Sequence, residues 1–287
     1  MQNFQGKIIV ITGAARGIGR ATAIAFAQAG ADCIVGIDAC KLVCPSCGVK
    51  PSTPSDLEDT GKLVKNCGAD WFGVIADQRD LSTLRHIASF VERKLGGVDI
   101  LFANAGVQGF VSLLEMKDDD WNTTIDVNLT GTANVIRAFA PQMVRKHRGG
   151  RIIVTSSGQG RQGTKNASAY SASKWGLIGL MKSAALELGK HKITVNAVIP
   201  GLVNTELTRH ESRYAQIIDA AGETPSGEEK LDEWRARQIQ MKNSPFGIPW
   251  IEAEDVVPVV LFLPSDAAKM VTGSTYDIRG GDSAHSL

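Results

Sequence analysis

Short apolar, β-rich runs alternate with stretches of helical spacing along most of the chain. The runs fall at residues 8–11, 33–37, 71–75, 98–103, 152–154, 193–199 and 276–278. Helical spacing follows the first run over about 19–28, and two longer helices are predicted over about 118–146 and 169–189. Near-continuous apolar runs mark strands buried on both faces, as in a parallel sheet covered by helices. Strand–helix alternation then implies an α/β fold, a doubly wound parallel sheet with right-handed crossovers. The 287 residues form a single expected domain, ample to bury a core. No internal repeat is visible.

Two stretches break the rhythm. Residues 40–56 carry three cysteines and three prolines directly after the second run, and read as an inserted loop. Residues 202–250 are polar and charged, with Gly, Pro and helical pieces, directly after the sixth run. In such sheets the ligand crevice lies beyond the carboxyl ends of the strands, so both stretches belong beside it. A long connection there predicts a substrate lid, with a surface excursion as the plainer alternative.

The first run leads into Thr12-Gly13-Ala14-Ala15-Arg16-Gly17-Ile18-Gly19. Glycines at these spacings let the backbone turn tightly and approach a pyrophosphate, and the next helix offers its N–H groups to the phosphates. Between a strand and a helix this is a dinucleotide turn, and the fold becomes a Rossmann fold. Asp38 ends the second run, nineteen residues after Gly19. A carboxylate there accepts hydrogen bonds from ribose hydroxyls and repels a 2′-phosphate, which predicts NAD over NADP. Arg16 pulls the other way, but no basic residue directly follows Asp38.

Tyr170 and Lys174 are four residues apart in a helical pattern, which places them on one face, one turn apart. A free phenol titrates about three units too high to act as a base at neutral pH. A neighbouring ammonium and a positive nicotinamide ring favour the phenolate. Tyr170 then becomes the candidate acid/base for a hydride transfer between a dinucleotide and a secondary alcohol or its ketone. Lys174 is placed to hold the nicotinamide ribose. Ser157 lies thirteen residues before Tyr170, at the end of the fifth run, where its hydroxyl can stabilise charge on the substrate oxygen.

These residues together resemble the short-chain dehydrogenase/reductase family over essentially the whole chain. The resemblance makes residues 12–19 the cofactor turn and Asp77 an adenine contact. It makes Asn104-Ala105-Gly106 the motif that supports the sheet and the adenine side. It assigns Asn128 to a water-holding role in a proton relay, and Ser157, Tyr170 and Lys174 to the active-site triad. Pro200, Gly201, Val203 and Thr205 match the segment that grips the nicotinamide carboxamide. The insert after Asp38, the stretch 54–60 and Ile248-Pro249-Trp250-Ile251-Glu252 look like the carveol dehydrogenase-like branch. That branch implies cyclic or terpenoid alcohols as substrates, and an inserted loop that covers a retained NAD. The chain departs from it at Ile18, where glutamine is frequent, and in its cysteine-bearing insert.

Lys plus Arg total 31 and Asp plus Glu 30, so nothing steers the protein toward nucleic acid or an anionic membrane. The polar first seven residues and the lack of a run of roughly 20 apolar residues predict a cytoplasmic protein. The odd cysteine count argues against a disulfide framework. Cys40, Cys44, Cys47 and Cys67 could instead offer four thiolates to a structural zinc, against the plainer reading of free loop thiols. The expected catalysis needs no metal. Leu202, Leu207, Tyr214, Ile218, Met241, Phe246 and Trp250 of the lid, with Val107, Gln108 and Phe110, suit a small hydrophobic alcohol or ketone, or else pack the lid onto the body. The two long helices carry more apolar surface than one sheet face covers, and the family buries such helices in a homotetramer. Two other functions fit the same fold. One is an NADPH-dependent ketoreductase, opposed by Asp38. The other is a non-catalytic NAD-binding regulator, opposed by the retention of Asn128, Ser157, Tyr170 and Lys174.

Overall fold

The predicted runs become seven parallel strands, in a computed structural model that describes residues 3–285. They are β1 (Ile8–Thr12), β2 (Cys33–Asp38), β3 (Asp70–Ile75), β4 (Ile100–Ala103), β5 (Gly150–Thr155), β6 (Ile193–Pro200) and β7 (Thr275–Ile278), in the spatial order β3-β2-β1-β4-β5-β6-β7. The order reverses between β1 and β4, which opens a crevice at their carboxyl ends. Successive strand residues point to opposite layers, and both layers are packed. Val10, Val35, Leu101 and Val154 meet Phe139, Met143 and Met181 on one face. Ile9, Ile11, Ile34 and Phe102 meet Phe26 and Val256 on the other.

The helices on these faces are α1 (Gly17–Gln28), α2 (Pro54–Asn66), α3 (Leu81–Leu95), α4 (Asp118–Ile125), α5 (Gly131–Lys146), α6 (Ser168–Leu188), α7 (Glu211–Ala220), α8 (Glu229–Asn243) and α9 (Ala253–Phe262). The long helix predicted over 118–146 is α4 and α5 joined through a π turn, Asp126–Thr130. Such a widened turn is a local fault in a helix and is frequent at functional sites. α6 matches the second long helix to within a residue at each end.

Three expectations need correction. β3 is not buried on both faces: Phe72 is 37% and Ile75 57% exposed, because β3 is the edge of the sheet. The insert ends earlier than residue 56. Thr53 caps α2, accepting from the Asp56 N–H while the Asp56 carboxylate accepts from the Thr53 N–H, and Pro54 takes the first helical position. The third concerns cysteine. Cys44 and Cys47 form a disulfide, although the odd count argued against one. A single 3₁₀ turn, Pro45–Cys47, sets their Cα atoms 5.4 Å apart, within bridging range. The bridge withdraws two of the four thiolates a zinc site would need; Cys33, Cys40 and Cys67 stay free. Among the described residues no group of three or more metal-ligating side chains converges.

The segment 202–250 folds as α7 and α8 around a small core of its own, Tyr214, Ile217 and Ala236, with Leu202, Ile239 and Trp250 packed on it. A bridge between Val203 and Ile251 closes its base. Among the described residues no helix is long and apolar enough to cross a membrane.

Candidate active site

The turn after β1 works through contacts that only glycine permits. Gly13 has φ +70°, and a Cβ there would lie 3.0 Å from both Ala105 Cα and Asn104 Nδ2. A Cβ on Gly19 would lie 2.0 Å from the Gly13 carbonyl oxygen. Gly19 thus lets α1 close on the turn but does not face the crevice. Arg16 precedes α1 without a side-chain cap, and the first turn of α1 holds no acidic residue. Its N–H groups and positive dipole end are left to an anionic ligand. Asn104 ties β4 to this turn: its N–H donates to Thr12 Oγ1 at 3.0 Å and its amide to Thr12 O at 3.2 Å. The Ala105 N–H donates to the same hydroxyl.

Asp38 lies at the end of β2 with its carboxylate oriented by the Ala15 N–H at 3.1 Å, the Cys40 N–H at 3.1 Å and Ser52 Oγ at 2.6 Å. Ser52 belongs to the insert. Lys41, also from the insert, pairs with Asp77 at 3.2 Å, and Arg79 grips the same carboxylate at 2.7 Å. Burial raises the Asp77 pKa, but the Arg79 and Lys41 bonds outweigh it and hold the acid near 2. The insert is therefore pinned to both acids.

A cavity of about 470 Å³ runs from the glycine turn to α6. Gly13, Arg16, Gly17, Ile18, Asp38, Asp77, Asn104, Ala105 and Gly106 line one part of it. Ser157, Tyr170, Lys174, Pro200, Gly201, Val203 and Thr205 line the other. Of the catalytic and cofactor-binding residues expected from the sequence, Gly19 and Asn128 alone lie behind its wall. Asn128 is fully buried in the π turn. Its Nδ2 donates to Val107 O at 2.9 Å and Ser173 Oγ at 3.0 Å, and its Oδ1 accepts from the Val107 N–H at 2.8 Å. It fixes the loop after β4 against α6.

Tyr170 and Lys174 occupy consecutive turns of α6 and are both buried. The Tyr170 phenol hydrogen-bonds with Ser157. Its pKa is nevertheless raised, because burial outweighs the Ser157 bond and the pull of the Arg213 guanidinium. The ammonium of Lys174 was expected to supply that pull. It lies over the phenol ring, Nζ 5.5 Å from the centroid, and donates to Thr155 O at 2.8 Å. Burial lowers the Lys174 pKa to about 8.

The substrate end is more polar than the lid sequence suggested. Leu202, Leu207, Val107 and Gln108 reach the cavity. Tyr214 and Ile218 are buried, Trp250 packs on the segment's own core, and Phe246 is 74% exposed, so these serve the packing of segment 202–250 or none. Phe110 lies under the Arg213 guanidinium. Gln162, Thr164, Arg213, Gln216 and Ile217 were missed and line the cavity. No local pattern marks Arg213, Gln216 and Ile217: which side chains of α7 face inward depends on how the helix docks.

A glycine turn with an acidic strand end, sharing one cavity with a Ser–Tyr–Lys group on a doubly wound sheet, defines a dinucleotide-dependent oxidoreductase. The chain belongs to the short chain dehydrogenase family, whose sequence pattern matches residues 7–215. It is 36% identical to (-)-trans-carveol dehydrogenase of Rhodococcus erythropolis over 98% of this chain and 99% of that one. The crystal structure of carveol dehydrogenase from Mycobacterium avium in complex with NAD superposes with a TM-score of 0.89. That match has 36% identity and covers 98% of this chain and 99% of that one. A short chain dehydrogenase from Mycobacterium paratuberculosis bound to NAD gives 0.86 at 33% identity, covering 99% and 100%.

Proposed function

We propose that the protein transfers a hydride between NAD and a hydrophobic, cyclic or terpenoid secondary alcohol or its ketone, with Tyr170 as acid/base. One observation carries this reading: the Ser157–Tyr170–Lys174 group closes one end of a cavity whose other end is the glycine turn and Asp38. The likeness to carveol dehydrogenases and the walls supplied by Val107, Leu202, Leu207 and Ile217 support the substrate class.

The glycine cradle and the uncapped start of α1 fit a pyrophosphate. Asp38 fits the ribose hydroxyls, and Pro200, Gly201, Val203 and Thr205 fit the carboxamide end. NAD, when bound, supplies the hydride acceptor or donor. In oxidation, Ser157 Oγ holds the substrate oxygen and Tyr170 takes the hydroxyl proton as the neighbouring C–H bond breaks. In reduction, Tyr170 returns that proton. Lys174 holds the nicotinamide ribose beside Tyr170, and Asn128 keeps Val107 and Ser173 in register with it. Segment 202–250 serves as the substrate lid, and the insert, pinned through Ser52 and Lys41, covers the cofactor.

Purified protein given a panel of cyclic secondary alcohols with NAD or NADP should reduce NAD with at least ~10-fold higher kcat/KM, and Asp38→Ala should narrow the gap. Preference for NADP would overturn the reading of Asp38. Tight NAD binding with no turnover of any alcohol or ketone would favour the regulator instead. We also propose a homotetramer. The family resemblance supports it, as do Trp121, Trp175 and Leu186, which stand exposed on α4 and α6. Sedimentation should give four chains per particle; a stable monomer would overturn it.

A further inference from the structure

The reaction above does not explain the position of Arg213, a charged group on the cavity wall. It sits in the first turn of α7, where the helix dipole opposes a cation. Its guanidinium carbon lies 4.9 Å over the Phe110 ring, and Nη1 donates to Gln216 Oε1 at 2.8 Å, so the side chain is held from two sides. Nε is buried with no hydrogen-bond partner. Arg79, Arg145, Arg161, Arg209, Arg235 and Arg279 each have a carboxylate within ion-pair distance. Arg213 has none among the described residues. It lines the same cavity as Tyr170 and acts electrostatically on that phenol. Although burial lowers its pKa to about 10, it remains a cation at neutral pH.

A largely desolvated guanidinium with no carboxylate partner is costly unless an anion pairs with it. Among the described residues no carboxylate does so, and the group lines the cavity that also holds Ser157 and Tyr170. Its planar donor edge matches a carboxylate, the anion that guanidinium binds with two parallel hydrogen bonds. Gln162, Thr164 and Glu206 give the cavity wall polar character, while Leu202, Leu207 and Ile217 give it apolar patches.

We propose that the substrate is a hydroxy or oxo acid on a compact apolar skeleton, with its carboxylate paired to Arg213 while its alcohol or ketone meets Ser157 and Tyr170. This rests on the alcohol–ketone reading above and narrows it. The carboxylate takes no part in bond making. The carbinol C–H bond breaks with its hydride passing to NAD, the O–H proton passes to the Tyr170 phenolate, and the C=O bond forms. Pairing also offsets the pull of Arg213 on the phenol, so a bound acid favours protonated Tyr170 and hence ketone reduction.

The test begins with ligands that cannot react. Cyclohexanecarboxylate and cyclohexanecarboxamide are titrated calorimetrically into NADH-loaded protein. The acid should bind about 30-fold more tightly than the amide, the range expected of a charge-assisted bond to a carboxylate. Arg213→Gln should erase that preference and Arg213→Lys should keep part of it. Equal binding of acid and amide to the unaltered protein overturns the proposal without recourse to any variant. Turnover is then compared for 3-hydroxycyclohexanecarboxylate and its methyl ester. A carboxylate preference in binding without turnover of either compound would overturn the alcohol dehydrogenase reading and leave the Arg213 site standing. Equal turnover of both would overturn the site and leave the dehydrogenase.

Discussion

Tyr170→Phe should lower kcat by about 10²–10⁴-fold while NAD still binds, the range that a positioned acid/base contributes. The substitution removes one oxygen from a buried ring and adds no volume. Ser157 loses a partner but keeps its bond from the Gln159 N–H. The glycine turn, Asp38 and Lys174 are untouched, so cofactor binding measured by calorimetry should hold. The pH dependence provides a second reading. Burial holds the Tyr170 phenol above its ordinary value in the free protein. Oxidation uses the phenolate, so its rate should climb as pH rises beyond neutrality; reduction uses the phenol, so its rate should not. In Tyr170→Phe the climbing limb should vanish. Near-normal turnover by the variant would remove Tyr170 from the acid/base role. Lost NAD binding would mean that the ring is structural.

The parts of this site that can be read from sequence are local. The glycine turn announces itself because Gly13, Gly17 and Gly19 answer one tight passage from strand to helix. Tyr170 and Lys174 do so because four residues is one helical turn. Asp38 does so because it ends a strand. What could not be read depends on contacts between distant segments. β3 looks like any other apolar run, and only the strand order makes it an edge with Phe72 and Ile75 in the open. The direction of the Lys174 ammonium is decided by Thr155 O, nineteen residues away. Cys44 and Cys47 pair because the chain makes one tight turn at Pro45, which spacing and count alone leave undecided. Arg213 is one of several cations in a polar segment, and the docking of α7 over Phe110 singles it out.

Lys174→Met should cost activity and, near neutral pH, little or no stability. The lysine is buried with its pKa lowered from 10.5 to about 8, by desolvation. Between those values the unfolded chain binds more protons than the folded one, so stability rises with pH across that window. Below about pH 8 both forms are protonated and the folded protein carries the whole penalty of a buried ammonium, roughly 3 kcal/mol from the pKa difference. Methionine lifts that penalty but leaves Thr155 O without its donor, a loss of roughly 1–3 kcal/mol. Urea unfolding of cofactor-free protein near pH 7 should therefore find the variant about as stable as the parent, or slightly more so. Near pH 10 the parent has recovered most of its penalty, and the variant should be the less stable of the two. At every pH kcat/KM should fall by about 10²-fold or more, the loss expected if Lys174 orients the ribose beside Tyr170 as proposed. A variant less stable than its parent by several kcal/mol at pH 7 would mean that the ammonium stabilises the fold. The site would then contain no trade between stability and chemistry.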